Sequence, residues 1–449
     1  MYLLQLYKII ISFLLLSFCV SERELKFVYT HFRHGARGPA LGLDSEGKDY
    51  FGQKWDYPQD LTGVGMRMHY SLGLRNRERY LILNNLLKNT FDSKEILIMS
   101  SEFNRTIQSA LSQLEGLYGN LKEGELTEKE KENAIIPNIL SDKVKSKIQK
   151  LGNFSIENGK QVFPIHTYNI KEHKFLLHEE ENLSECQPIK SIRAENNQTE
   201  KMSNLKKQFL DIHKNRIEDY FKDNTNITEH LNETFVLLSL CDSYISDITD
   251  GRFGNKPPFE DAFETDCQQL LRDLWMEYIF GDKEKRVLTM SMSPIMRDIV
   301  HYINESINTP DKSPKFMMVS GHDVSLLGIF AFMSMYTKRG AIDNFVVPFA
   351  TSMFLEVYQE NNLTTIEYYI DNFTKSISTF EFDDFKKFVF ENAWSDERIK
   401  DFCKFDEWGE IPQMESFTIV IYVFGGIVVV IIVLLIGCII NTKSKFKNS

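Results

Sequence analysis

Three short apolar runs without helical spacing predict buried β-strands along this chain. The first runs from Leu25 to a loop at Gly35, and the others cover residues 94–101 and 315–320. Charged or titratable residues follow each run directly. Because ligands of open α/β sheets bind outside the carboxyl ends of the strands, we expect these three ends to meet in one site.

Between and after these runs, apolar residues recur at helical intervals. They predict amphipathic helices over residues 64–87, 105–118, 202–221, 261–280 and 287–303, and residues 324–336 are apolar enough to be buried. The alternation of strands and helices predicts an α/β fold with a mostly parallel central sheet flanked by helices. Residues 352–358 and 364–370 predict an antiparallel hairpin at a sheet edge.

The composition changes in the middle of the chain. From about residue 139 to residue 284, Lys, Glu and Asn become more frequent and no parallel-strand run occurs. We therefore expect an α/β core in two parts, residues 22–138 and 285–405, interrupted by a mostly α-helical cap insertion at 139–284. The cap should overhang the strand ends and influence which substrates enter.

The helix predicted near residue 75 carries several polar residues. We interpret Arg75, Arg77 and Arg79 as a solvated face, since helix charge runs usually lie in water. His69, on the same helix, is expected to be structural.

Both termini carry apolar segments. Residues 1–21 have the pattern of a signal peptide, with Lys8 before a short apolar block. Residues 417–440 lack charge over a length sufficient for a transmembrane helix, after a stalk at 406–416 and before a basic cytosolic tail at 441–449. This predicts a single-pass type I membrane protein whose ectodomain faces a lumen or the outside. A removable lipid-anchor signal is the alternative.

Charge and cysteine content limit the possible partners. The 449 residues carry a formal net charge of −11, which disfavours nucleic acid as a ligand. Outside the terminal segments, the cysteines are Cys186, Cys241, Cys267 and Cys403, which permit three pairings. A lumenal or extracellular address favours disulfides over a metal site. Several Asn-X-Ser/Thr sequons indicate a glycoprotein. The oligomeric state stays open, with a homodimer as one option.

The residues after the three strands suit phosphate chemistry. His34 offers a nucleophilic imidazole, and Arg33 and Arg37 offer charged donors that match tetrahedral oxyanions. Asn104 and Arg105 follow the second strand, and the third is followed by Gly321, His322 and Asp323. A strand end with solvated arginines is the simpler reading of the first motif alone. A metal site using His31 and His34 is disfavoured, because strand geometry directs them to opposite faces.

Four segments resemble the histidine acid phosphatases of the lysosomal and prostatic type and, more distantly, the phytases. They are RHGARGP at 33–39, LTGVG at 61–65, SSEFNRTIQSA at 100–110 and GHD at 321–323. The resemblance covers about residues 27–403, loosely in the middle. Gly38 and Asn104 depart from the commonest family pattern at non-catalytic positions.

The resemblance implies a role for each residue. It makes His34 the phosphorylated nucleophile and Asp323 the proton donor, and it assigns phosphate binding to Arg33, Arg37, Arg105 and His322. It also implies a Cys186–Cys403 disulfide, which leaves Cys241 with Cys267.

We thus expect an acid phosphatase that acts on small phosphate monoesters without a metal or other cofactor, in a lysosomal, endosomal or extracellular setting. A phytase-like inositol phosphate phosphatase and a non-catalytic, membrane-anchored binding glycoprotein are the alternatives.

Overall fold

The computed structural model of the chain describes residues 23–119, 125–134, 142–167, 186–337, 345–371 and 375–403. In these residues a seven-stranded sheet has the order β3-β2-β4-β1-β5-β6-β7. The strands are β1 (Glu24–Arg33), β2 (Ile96–Ser100), β3 (His166–Thr167), β4 (Phe316–Gly321), β5 (Ser352–Glu360), β6 (Leu363–Ile370) and β7 (Ser378–Glu381).

Strand β1 lies in the middle of the sheet and is almost completely buried. It pairs in parallel with β4 and antiparallel with β5. Strands β2 and β3 extend the parallel half, whereas β5, β6 and β7 pair antiparallel with their neighbours. The α/β class is therefore confirmed, but the sheet is mixed rather than mostly parallel.

The hairpin of β5 and β6 forms as predicted, but its position was predicted wrongly. Strand β5 pairs with the central strand β1, and β7 covers the outer side of β6. The hairpin therefore lies inside the described sheet. Its partner β1 comes from the start of the described chain, so the local pattern of the hairpin could not reveal this pairing.

Helices cover both the sheet and the strand ends. They are α1 (Gly63–Asn76), α2 (Asn104–Tyr118), α3 (Glu128–Asn133), α4 (Asp142–Gln149), α5 (Gln187–Asn196), α6 (Glu200–Tyr220), α7 (Thr225–Thr228), α8 (Thr234–Thr249), α9 (Asp261–Phe280), α10 (Arg286–Asn308), α11 (Asp323–Thr337), α12 (Phe382–Asn392) and α13 (Asp396–Cys403). A π-helical segment, Arg77–Leu83, continues α1.

The buried apolar residues of the described chain include two large clusters. One joins the sheet to helix α2 and the segment after α1, with Tyr80 and Phe316 in edge-to-face contact. The other lies within the helical region, where Phe209, Tyr244 and Phe263 are buried together. Helices α6 to α9 thus have a core of their own, beside the sheet.

The interpretation of Arg75, Arg77 and Arg79 as a solvated face was wrong; Arg75 lies on α1 and the other two on the π-helical segment after it. The Arg79 guanidinium forms a bidentate ion pair with Glu356, whose side chain is fully buried on β5. Arg75 donates to the carbonyl of Asp371, and Arg77 donates to that of Leu117 at 3.1 Å. These arginines attach the helix to its surroundings. By contrast, His69 is buried beside Gln113, as a structural histidine should be.

Both expected disulfides are present. Cys186, before α5, pairs with Cys403 at the end of α13, and Cys241 on α8 pairs with Cys267 on α9. The expected signal peptide, stalk, membrane span and tail lie outside the described residues. Within the described part of the chain, no helix is both long enough and apolar enough to cross a membrane.

Candidate active site

Backbone register brings the three predicted strand ends to one level. Arg33 at the end of β1 lies opposite Gly321 of β4, and Ser100 of β2 lies opposite Ser320 of β4. The His34 amide donates to the Gly321 carbonyl at 3.0 Å. Residues that are far apart in sequence therefore begin their loops side by side.

The loop after β1 is fixed by close backbone packing against α1. The Ala36 carbonyl accepts a hydrogen bond from the Thr62 amide at 2.9 Å. A Cβ atom on Gly35 would lie 2.5 Å from the carbonyl oxygen of Gly65, so only glycine fits this approach. The LTGVG segment therefore has a structural purpose, which is to hold the loop that carries His34.

His34 is buried, and its ring orientation is defined by one hydrogen bond. Its Nδ1 lies 2.9 Å from the Gly35 carbonyl, to which it can only donate, so Nε2 carries the lone pair. Burial first, and then the positive charges of the surrounding guanidinium groups, hold the His34 pKa well below its ordinary value. The shift favours the neutral imidazole, which is the form that can act as a nucleophile.

Arg33 connects the strand end to the proposed proton donor. Its Nη2 lies 2.7 Å from Oδ2 of Asp323, and its Nη1 donates to the carbonyl of Val347 at 2.6 Å. Burial lowers the Arg33 pKa, while the charge of Asp323 opposes this shift. The guanidinium also lies over the ring of Phe349, at 4.5 Å from its centre. Arg33 is thus held from three sides.

Arg37 has a partner that the sequence analysis did not identify. Its guanidinium forms two hydrogen bonds with the carboxylate of Asp242, at 2.8 and 3.2 Å, and Asp242 also accepts from the Ala40 amide at 2.7 Å. Burial alone would raise the Asp242 pKa, but the charge and hydrogen bonds of Arg37 lower it overall. Asp242 lies on α8, in a buried run of mostly apolar and small polar residues that also contains Asp247. A charged residue in such a run was the only signal in the sequence.

Arg105 is the third guanidinium group of the site. It lies in the first turn of α2, is buried, and stands over the ring of Phe103 at 4.5 Å from its centre. Burial, followed by the charge of Arg37, lowers the Arg105 pKa to about 9. It remains a cation at any acidic or neutral pH.

His322 and Asp323 complete the site from the end of β4. The His322 Nε2 lies 3.0 Å from the hydroxyl of Ser101, and its ring is 5.6 Å from that of His34, edge to face. Asp323 begins α11, where its Oδ1 accepts from the Val324 amide at 2.9 Å. Its side chain is 28% exposed, more than that of Arg33. A carboxyl group at the rim of the site can exchange protons with solvent.

All six predicted site residues line one cavity of about 180 Å³, together with Asp242. Three guanidinium groups surround a neutral imidazole, and this arrangement suits a tetrahedral oxyanion. The alternative of solvated arginines at the first strand end is therefore wrong. His31 is buried elsewhere, with its Nδ1 3.1 Å from the hydroxyl of Tyr29. No cluster of three or more metal-ligating side chains occurs among the described residues.

Comparisons of the sequence with known proteins find relatives of this chain. A family model described as the histidine phosphatase superfamily (branch 2) matches residues 24–371. The lysosomal acid phosphatase of Rattus norvegicus is 25% identical over 364 residues, which cover 79% of this chain and 73% of the relative. The prostatic acid phosphatase of the same species is 25% identical over 364 residues, covering 79% and 80%. The human lysosomal acid phosphatase is 24% identical over 357 residues, covering 78% and 71%.

Solved structures share the fold at lower identity. A Hafnia alvei phytase in complex with myo-inositol hexakis sulphate superposes with a TM-score of 0.55 at 12% identity, covering 85% of this chain and 98% of the phytase. A Bifidobacterium longum multiple inositol polyphosphate phosphatase has a TM-score of 0.51 at 12% identity, covering 84% and 94%. At such identity the likeness concerns the fold alone.

Proposed function

This chain belongs to the histidine phosphatase superfamily (branch 2), and from this membership we propose that it is an acid phosphatase acting on phosphate monoesters through a phosphohistidine intermediate. The observation that carries the proposal is the cavity in which a neutral His34 is surrounded by Arg33, Arg37 and Arg105. The named relatives are acid phosphatases, which supports the same activity here.

In the first step, Nε2 of His34 attacks phosphorus and the bond to the ester oxygen breaks. The three arginines and His322 bind the equatorial oxygens, where negative charge must be stabilised as the bonds change. Asp323, in its protonated form, transfers its proton to the departing alcohol. The site therefore supplies nucleophile, charge stabilisation and acid from separate side chains.

In the second step, water attacks the phosphohistidine. The Asp323 carboxylate takes a proton from this water, the N–P bond breaks, and inorganic phosphate leaves with His34 restored. Because the first step requires Asp323 to be protonated, we expect activity to be highest at acidic pH. The ion pair between Arg33 and Asp323 gives a second reason for this preference. A substrate phosphate that binds Arg33 competes with the Asp323 carboxylate. Protonation of Asp323 in acid removes that competing charge.

The proposal is tested with the purified full-length chain and p-nitrophenyl phosphate. Wild-type protein should release phosphate at acidic pH, and His34→Ala should lower kcat by about 10³-fold or more. Asp323→Ala should retain part of the activity on this ester, whose phenolate leaves without help, but lose nearly all activity on glycerol 2-phosphate. Equal losses of activity on both esters would show that Asp323 is not the proton donor. An inactive wild-type protein would favour the non-catalytic binding glycoprotein.

We further propose a lumenal or extracellular ectodomain on a single-pass type I membrane protein, with residues 139–284 as the cap. The apolar segments at 1–21 and 417–440 support this topology, and two disulfides suit an oxidising compartment. Protease protection of the folded domain in sealed microsomes, with the C-terminal tail accessible, is the expected result.

A further inference from the structure

A second cavity, of about 320 Å³, adjoins the phosphate site. It shares Arg33, Asp242, Asp323, Leu271 and Trp275 with the phosphate cavity. In the proposed function, Asp323 protonates the ester oxygen, and the alcohol is attached to that oxygen. The alcohol of a bound substrate would therefore extend past Asp323 into this second cavity.

The wall of the second cavity is largely apolar. Helix α9 contributes Leu271 and Trp275, and the opposite surfaces come from several other elements. Those surfaces are formed by Met68, Ile245, Ile248, Leu327, Val347 and Phe349. Ligand sites with such walls bind apolar and aromatic groups, because burial removes apolar surface from water.

The charges in this cavity are unfavourable for further phosphates. Glu264 lines it, together with Asp242, which is paired with Arg37, and Asp323, which is protonated in the proposed first step. Of the described lining residues, the cations are Arg33 and Arg272, and each is ion-paired, with Asp323 and Asp273 respectively. A polyphosphorylated substrate would place its additional anions near carboxylates without a row of free cations to balance them.

Building on the proposed phosphatase function, we propose that this cavity binds the leaving group and selects monoesters of apolar, aromatic alcohols with a single phosphate. Inositol hexakisphosphate is then a poor substrate, although the fold is shared with phytases. Trp275 is the main specificity-determining residue, since it is the largest apolar side chain on the shared wall.

The test compares benzyl phosphate with ethyl phosphate. Both esters have a primary alcohol as the leaving group, so their chemical reactivities are similar. A difference in kcat/KM therefore reports mainly the binding of the phenyl ring. The wild-type enzyme should favour benzyl phosphate by about tenfold or more, as expected for burial of a ring in an apolar pocket. Inositol hexakisphosphate should be hydrolysed more slowly than benzyl phosphate.

Trp275→Ala should lower the benzyl-to-ethyl ratio of kcat/KM by about tenfold. The control is Met276→Ala, a truncation at the next position of α9 that is not among the residues lining either cavity; it should leave the ratio unchanged. Competitive inhibition of the wild-type enzyme by benzylphosphonate and ethylphosphonate gives the same comparison if Trp275→Ala does not fold. Benzylphosphonate should bind about tenfold more tightly.

Equal rates on both esters, equal inhibition by both phosphonates, or faster hydrolysis of inositol hexakisphosphate would overturn the cavity assignment and leave the phosphatase function intact. A wild-type enzyme that releases no phosphate from any ester, p-nitrophenyl phosphate included, would overturn both proposals.

Discussion

The two walls of the site differ in how they are built and in what they do. The core wall consists of strand ends and the first turn of α2, and it supplies His34 and all three guanidinium groups. The cap wall consists of α8 and α9, and it supplies Asp242 and the apolar surface around Trp275. In the function that we propose, the core holds the phosphate, while the cap fixes one arginine and selects the alcohol.

Loss of a phosphate-binding group from the core wall should therefore affect all substrates equally, and this is the largest effect expected from the comparison of the two walls. Arg105→Ala removes a buried cation that, in the proposed mechanism, binds the phosphate and not the leaving group. We expect kcat/KM for benzyl and ethyl phosphate to fall by the same factor, about 10² to 10³. Steady-state kinetics on both esters measures this.

Arg67→Ala, at an exposed arginine on α1, is the matched control and should leave both rates unchanged. A loss confined to benzyl phosphate in Arg105→Ala would contradict the division between the two walls.

An intermediate effect is expected for Asp242, the cap residue that acts on the core. Asp242→Asn leaves Arg37 as a buried cation without its charged partner, and removal of one member of a buried pair typically costs about 3 to 5 kcal/mol of stability. Bound inorganic phosphate should pair with Arg37 in place of the lost carboxylate. Thermal unfolding should then show a lower Tm and a larger increase in Tm with added phosphate than in the wild type.

The control for this experiment is Asp311→Asn, at an exposed aspartate outside the site. Its Tm and its response to phosphate should match those of the wild type. If phosphate stabilises Asp242→Asn less than the wild type, Asp242 does not position Arg37 for phosphate.

The smallest effect concerns pH at the junction of cap and core. Asp247, which follows Asp242 on α8, is buried close to Asp49 of the loop after β1. Burial, followed by the charge of Asp49, raises the Asp247 pKa to about 8. A raised pKa means that the folded protein holds a proton which the unfolded chain releases, so this pair stabilises the protein most in acid and loses that contribution as pH rises toward about 8.

Asp247→Asn should therefore reduce the fall in Tm between pH 5 and pH 8, by about 2 °C or more. Calorimetry of the variant and the wild type at both pH values measures this, with Asp311→Asn again as the control. An unchanged dependence on pH would show that the junction does not respond to protonation.

Much of the core could be predicted from local sequence. Apolar runs such as Phe316–Gly321 specify strands because no amphipathic helix can be drawn through them, and the polar residues after them must lie at a strand end. The helices Asp261–Phe280 and Arg286–Asn308 follow from apolar residues at helical intervals. For the same reason, the six site residues could be grouped before any coordinates were known.

Other features depend on pairings between distant residues. Arg79 was assigned to solvent because a helix face alone does not show that Glu356, 277 positions later, is buried opposite it. The hairpin of β5 and β6 was predicted at an edge because the sequence around it does not show that β5 pairs with β1, from the start of the described chain. Asp242 was missed because its meaning depends on Arg37, 205 positions earlier.

The sequence by itself determined which segments form strands and helices and which residue types stand at the strand ends, because these follow from neighbours a few positions away. Only the tertiary structure decided which charges are buried together, which face of α9 borders the site and which arginines are structural. The free energy of a charge depends on its burial and its partners, and both are set by segments hundreds of residues apart in the chain.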